Sequence, residues 1–252
     1  MTVTAILSAL AEEQQGFVEL LEDARCVRRA GREFWIGRLH GQDVVLALSR
    51  YGKVAASTTA TTLIESFGVD RIVFTGVAGG IGAGVKVGDV VVADSYVQHD
   101  MDASPLFPRF EVPLYGQARF DCHPELTSNL LVAAQGFIAQ SYAQASAVSD
   151  ESGVVVHRGL IASGDLFVGS AEQASDLQQA LLGAGHVPLA VEMEGAAVAQ
   201  VCHDYGLPFA AVRTISDRAD DQAHVDFMQF VQEVASRYAH GIIRELLELL
   251  PK

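Results

Sequence analysis

Basic residues are scarce in this chain. Seventeen lysines and arginines stand against 31 aspartates and glutamates, for a net charge of −14. No stretch gathers them into a stripe able to neutralise phosphates, which excludes nucleic acid as an expected partner. Cysteine is scarcer still: Cys26, Cys122 and Cys202 are odd in number, widely spaced and without a C-x-x-C pair. That argues against a disulfide framework or a zinc site and leaves three free thiols. Long apolar runs are missing too. Segments such as 43–48 and 89–93 are strand-length and interrupted by charge, far short of the roughly 20 residues a membrane helix needs. The stretch Met1-Thr2-Val3-Thr4-Ala5-Ile6-Leu7 lacks a basic start and a small-residue cleavage site, so no secretory signal is expected and a cytoplasmic location is. Nor does any serine- or proline-rich linker, repeat or low-complexity tract divide the chain. With half of its 252 residues hydrophobic, it can bury one large core and is expected to form a single domain over residues 1–252.

What is present is alternation. Short β-branched runs at 2–8, 33–39, 43–48, 71–75, 89–97, 159–162, 189–192 and 209–214 read as strands. Between them, 53–67, 125–140, 171–182, 194–205 and 223–250 read as helices, the last with Phe227, Phe230, Val231, Val234, Tyr238, Ile242, Leu246 and Leu249 on a helical period. Gly206-Leu207-Pro208 ends the helix before it. Strands alternating with helices predict an α/β fold with a central mixed, mostly parallel sheet flanked by helices. Ligands of such sheets gather at the carboxyl ends of the strands. Glu13, 76–82, 163–167, Glu194 and Ser216-Asp217 are all placed just after strand ends by this reading.

Two carboxylates at the edges of buried runs, Glu194 in Val191-Glu192-Met193-Glu194-Gly195 and Asp217 in Ile215-Ser216-Asp217, are the sharpest functional signal, because an uncompensated buried charge is costly unless it serves a ligand. The competing reading is that Glu192 and Glu194 cap the helix that follows, and that Ser216 is an N-cap with Asp217 in the first turn. Glu12 and Glu13 likewise can merely oppose a helix dipole. The glycine-rich stretch 75–84 reads as a turn that lets backbone amides approach a small ligand, or as a purely structural one. Its glycines do not fit G-x-G-x-x-G, so a dinucleotide is not expected. Asp165 reads as a residue bonding loop amides as much as a catalytic one. His99 with Asp100 and Asp102 has no second histidine at ligand spacing, so neither a metal nor another cofactor is expected.

These residues, together with Tyr51-Gly52-Lys53-Val54-Ala55-Ala56, Phe74-Thr75-Gly76-Val77-Ala78-Gly79-Gly80, Gly88-Asp89-Val90-Val91, His99-Asp100-Met101-Asp102 and Ser163-Gly164-Asp165-Leu166-Phe167, resemble the 5′-methylthioadenosine/S-adenosylhomocysteine nucleosidases of the purine nucleoside phosphorylase superfamily. The matches run colinearly from the first strand to the last helix. The resemblance implies a homodimer that hydrolyses the bond between adenine and ribose of a small nucleoside. It assigns Glu13 to deprotonating the attacking water, Arg213 to helping place that water, and Asp217 to protonating adenine N7. Glu194 would accept hydrogen bonds from the ribose 2′ and 3′ hydroxyls and Met193 would pack on the sugar. Phe167 would stack on the base and the backbone of Val168 would read its edge, with Val77, Ala78, Gly79, Ser216 and Phe227 completing the substrate contacts.

The chemistry suits these residue types. Breaking C1′–N9 builds an oxocarbenium-like sugar while negative charge flows into the purine, so the site needs a hydroxyl-gripping anionic face and a proton donor. Two departures from the family stand out. Val77 replaces a residue that in many relatives carries a hydroxyl, and segment 103–113 replaces the aromatic loop that covers the 5′ substituent, with Phe107 and Phe110 expected to take its place. Phosphorolysis is the alternative, kept open by Arg50, but Glu12 and Glu13 would repel phosphate. A non-catalytic nucleoside binder on the same fold would be expected to lack one of the three acids.

Overall fold

The computed structural model describes residues 2–144, 153–220 and 222–251. Ten strands join one sheet: β1 (Val3–Ser8), β2 (Glu22–Arg29), β3 (Arg32–Leu39), β4 (Gln42–Leu48), β5 (Arg71–Gly80), β6 (Val90–Gln98), β7 (Arg119–Asp121), β8 (Val156–Ser163), β9 (Pro188–Glu192) and β10 (Phe209–Asp217). The helices are α1 (Lys53–Phe67), α2 (Pro124–Gln144), α3 (Ala171–Gly183), α4 (Gly195–Tyr205), α5 (Ala223–Phe230) and α6 (Ser236–Leu249). The sheet is mixed, as expected. β1 runs parallel to β4 and β5, β10 to β5, and β8 to β6 and β9. Antiparallel pairings are as numerous: β2–β3, β3–β4, β5–β9, β6–β7 and β6–β10. Because β5 pairs with both β10 and β9, the strands β5, β10, β6, β8 and β9 close into a ring, and β1, β4, β3 and β2 extend from it as an open wing.

Alternation along the strands sorts the core into two layers. Ala5, Leu7, Val45 and Ala47 face one way, onto Ala56, Ala60 and Leu63 of α1 and Ala196, Val198 and Ala199 of α4. Ile6, Val44, Leu46, Val73 and Val212 face the other, onto Leu130, Ala134 and Phe137 of α2 and Ile242, Ile243 and Leu246 of α6. The left-handed Gly206, whose N–H bonds the carbonyl of Cys202, ends α4 as the sequence predicts.

Several elements differ from the sequence reading. β2 was not predicted; Glu22-Asp23-Ala24-Arg25-Cys26-Val27-Arg28-Arg29 is an edge strand exposed almost throughout, so it has no apolar alternation to betray it. The short β7 was missed as well. The predicted glycine turn is not a turn at its start: β5 runs through Gly76, Gly79 and Gly80 before the chain leaves the sheet. β10 likewise extends to Asp217, so Ser216 is not a helix N-cap. The long C-terminal helix is interrupted by one turn of π-helix at Val231–Ala235, which separates α5 from α6. The three cysteines are free thiols, and among the described residues no helix is long and apolar enough to cross a membrane.

Candidate active site

One cavity collects the carboxyl ends of β1, β5, β9 and β10. Glu13, Val77, Ala78, Gly79, Phe167, Val168, Met193, Glu194, Arg213, Ser216, Asp217 and Phe227 all line it, together with Tyr51, Leu10 and Glu192. Every site residue predicted from the sequence is therefore on one hollow.

Glu13 sits in the 3₁₀ turn after β1 and is buried. Its Oε2 accepts the backbone N–H groups of Ala9 (2.8 Å) and Leu10 (3.0 Å), and its Oε1 that of Val77 (3.1 Å). Burial raises its pKa, while these bonds and the charge of Arg213 pull it down. Gly76 makes room: a Cβ there would stand 3.0 Å from Glu13 Oε1. The side chain of Val77 packs in a small apolar cluster with Val231 and Ala235. It offers no hydroxyl, and its contribution to Glu13 comes through the backbone.

Asp217, at the end of β10, is also buried. Its Oδ2 accepts from Ser216 Oγ (2.8 Å) and its Oδ1 from Ala219 N (2.8 Å). Burial raises its pKa, as do the charges of Asp226 and Asp220, against the lowering effect of the two hydrogen bonds. Gly79 is to Asp217 what Gly76 is to Glu13, since a Cβ there would lie 2.9 Å from Asp217 Oδ1.

Glu192 and Glu194 divide the two readings proposed for them. Glu192 does cap α4: it accepts from Gly195 N (2.9 Å) and, through the same carboxylate, from Ser163 Oγ and from Arg213 Nη2 (2.8 Å). Glu194 makes no side-chain cap bond. It accepts from Gly52 N at 2.7 Å through Oε1, and among the described residues Oε2 has no protein partner. Burial, then the neighbouring charge of Glu192, raises its pKa.

Arg213 is fully buried. It lines the cavity, but its hydrogen bonds go to Glu192 and to the carbonyls of Phe74 and Val212, and its guanidinium lies 4.1 Å from the centre of the Phe74 ring. Its influence on Glu13 is through charge rather than contact. Phe167 and Phe227 meet edge to face at the mouth, ring centres 5.9 Å apart. Asp165 is a brace, as its loop reading held: Oδ1 accepts Lys53 N at 2.7 Å, and its own N–H donates to Asp100 Oδ2 at 2.9 Å. Among the described residues no cluster of metal-ligating side chains is found. His99 is buried with its ring against Gly164.

The aromatic replacement expected from segment 103–113 is not found within this chain. Phe110 is buried against Val97, Leu160 and Leu181 and capped by Arg109, so it belongs to the core; neither it nor Phe107 lines the cavity. Sequence reasoning passed over Glu192 as a site residue, and Tyr51 at the rim, although both lie within segments that carried the family resemblance.

A closed ring of strands with four buried carboxylates, Glu13, Glu192, Glu194 and Asp217, at one end defines a class. The sequence profile of the Phosphorylase superfamily matches residues 3–248, and the chain belongs to that superfamily. Within it, the chain is 34% identical to an aminodeoxyfutalosine nucleosidase of Helicobacter pylori over 98% of its own length and 100% of the relative's. A 5′-methylthioadenosine/S-adenosylhomocysteine nucleosidase from Neisseria meningitidis, solved with methylthio-immucillin-A, superimposes with a TM-score of 0.87 at 33% identity, covering 99% of this chain and 100% of that one. A mutant of futalosine hydrolase from Helicobacter pylori superimposes with a TM-score of 0.83 at 31% identity over 99% and 100% of the two chains. These relatives are nucleosidases, the enzyme class expected from the sequence.

Proposed function

We propose that this protein hydrolyses the N-glycosidic bond of 5′-modified adenosines and releases adenine. The observation that carries the reading is the convergence of Glu13, Glu194 and Asp217, each buried, on one cavity rimmed by Phe167 and Phe227. Glu13, its carboxylate fixed by three backbone N–H groups, takes the proton of the attacking water. Asp217, whose raised pKa keeps the proton available, delivers it to N7 as the bond to C1′ breaks. The free oxygen of Glu194 accepts the ribose hydroxyls, and Phe167 stacks on the base. The charge of Arg213, answered in part by Glu192, lowers the pKa of Glu13 against the effect of its burial.

Methylthioadenosine, S-adenosylhomocysteine and aminodeoxyfutalosine are the candidate substrates, suggested by the names of the relatives. Water is the nucleophile because Glu13 occupies the place where phosphate would need donors. Assayed in phosphate-free buffer, adenine is expected to appear together with free sugar. Release that required added phosphate, with ribose 1-phosphate as product, would transfer the protein to the phosphorylases.

The working unit we infer is a homodimer, and its location the cytoplasm. Val54, Leu106 and Leu114 are 78%, 84% and 91% exposed, an apolar display that a second copy would cover. Three free thiols accord with a reducing compartment.

A further inference from the structure

Two acids from distant parts of the chain meet one dipeptide. Gly52 donates its N–H to Glu194 Oε1 at 2.7 Å, and the next residue, Lys53, donates its N–H to Asp165 Oδ1 at 2.7 Å. Glu194 is the acid proposed to accept the ribose hydroxyls. Asp165 lies in the loop after β8, two residues before Phe167.

The start of α1 explains the division. The helix begins at Lys53 with Gly52 at its N-cap, a residue with no side chain to bond the first amides. Gly52 takes φ +87° and ψ 161°, a conformation essentially confined to glycine, and a Cβ there would stand 2.9 Å from Asp165 Oδ1. The cap that the helix lacks locally is supplied by Asp165, 112 residues away in sequence. Glycine permits such a conformation without enforcing it. Only the φ and ψ of Gly52 separate its own amide from that of Lys53, so a bond that fixes the second restrains the first.

Asp165 is itself held. Its N–H donates to Asp100 Oδ2 at 2.9 Å, and Asp100 Oδ1 accepts Lys53 Nζ, which also donates to Gln98 Oε1 at 3.0 Å. Gln98 Nε2 donates in turn to Gln200 Oε1 at 2.7 Å, on α4, the helix that Glu194 immediately precedes. Burial raises the pKa of Asp100, but the hydrogen bonds from Lys53 and the Asp165 N–H, with the charge of Lys53, outweigh it and hold the carboxyl below its usual range. None of Lys53, Gln98, Asp100 and Asp165 lines the nucleoside cavity. Whatever they contribute to turnover passes through the residues that do.

We propose that Asp165 is a positioning residue for the reaction: by pinning the Lys53 amide it fixes Gly52, whose N–H holds one oxygen of Glu194 and leaves the other aimed at the ribose. The inference rests on the nucleosidase reading and adds to it the group that orients the sugar-binding acid.

The test is the ratio of kcat/KM for 5′-methylthioadenosine to that for its 2′-deoxy counterpart. The wild-type protein is expected to favour the ribose substrate by about tenfold or more, since the deoxy sugar leaves a buried acceptor unpaired. Asp165→Ala should cut that preference about fivefold or more, as expected for a misdirected charged hydrogen bond. Asp165→Asn retains an oxygen able to accept the Lys53 N–H and should keep most of the preference. Lys53→Met, which releases Asp100, should lower it by a smaller factor. The ratio is measured within each variant, so a general loss of folded protein cannot imitate the effect. If Asp165→Ala loses thermal stability and activity on both substrates alike, with the ratio unmoved, Asp165 only caps α1 and the proposal is overturned. Should that variant fail to fold, a wild-type ratio in Lys53→Met overturns it equally. Both results leave the nucleosidase reading intact. Equal kcat/KM for the two sugars in the wild type removes the ribose role of Glu194 and the proposal with it, whereas release of adenine from neither removes the nucleosidase reading itself.

Discussion

At the floor of the cavity Glu13, Glu192, Arg213 and Asp217 are buried and held by backbone amides, by a neighbouring hydroxyl or by one another. At the rim Tyr51 and Phe167 are 60% and 42% exposed, and the ring contact of Phe167 is an edge against Phe227. Glu192, Arg213 and Asp217 lie on the strands β9 and β10, where register fixes each side chain to its neighbours, and Glu13, in the turn after β1, is fixed by three backbone N–H groups. The rim lies on the segments between, where an aromatic ring can shift without opening a hydrogen bond. Chemistry that needs a proton placed within tenths of an ångström belongs on the first, and recognition of a flat base tolerates the second.

That contrast can be broken from the floor outward. Asp217→Asn should lower kcat by about 10²- to 10⁴-fold, the usual range for loss of a general acid, while calorimetry still records nucleoside binding; undiminished turnover would take Asp217 out of the mechanism. Glu192→Gln should act on stability first. It leaves Arg213 buried without its counter-charge, a change that costs about 3–5 kcal/mol in comparable pairs, and urea titration would read it. A variant as stable as the wild type would mean that the Phe74 and Val212 carbonyls suffice to hold the guanidinium. At the rim, Phe167→Leu should raise KM several-fold with little change in kcat, since a stacking contact is worth about 1 kcal/mol. A collapse of kcat instead would place Phe167 among the groups that act in the transition state.

Much of this was legible in the sequence because two periodicities carry it. The strands of the ring and the helices that flank it show either apolar runs or a helical stripe, and α6 continues its stripe through Ile242 and Leu246. The edge strand β2 was not legible, since a strand covered on neither face has no reason to alternate. The carboxylates could be found because they interrupt buried runs. Their partners could not: Glu192 and Glu194 look alike in sequence, and only the placement of Ser163 and Arg213 against one and Gly52 against the other separates cap from open acceptor. The glycines of β5 misled in an instructive way. Glycine suggested a turn, where the requirement was clearance for Glu13 and Asp217 beside a regular strand. Phe110 misled similarly, because a loop aromatic reads as a cover until its burial among Leu160 and Leu181 is seen.

β5 bonds to β1 along its first half, to β10 along most of its length and to β9 at its last two residues. A single deletion within it would therefore slip three ladders together, turning side chains toward Glu13 and Asp217 where hydrogen now stands. This strand can drift in composition but not in length, so insertions that diversify such an enzyme are confined to the segments around its mouth.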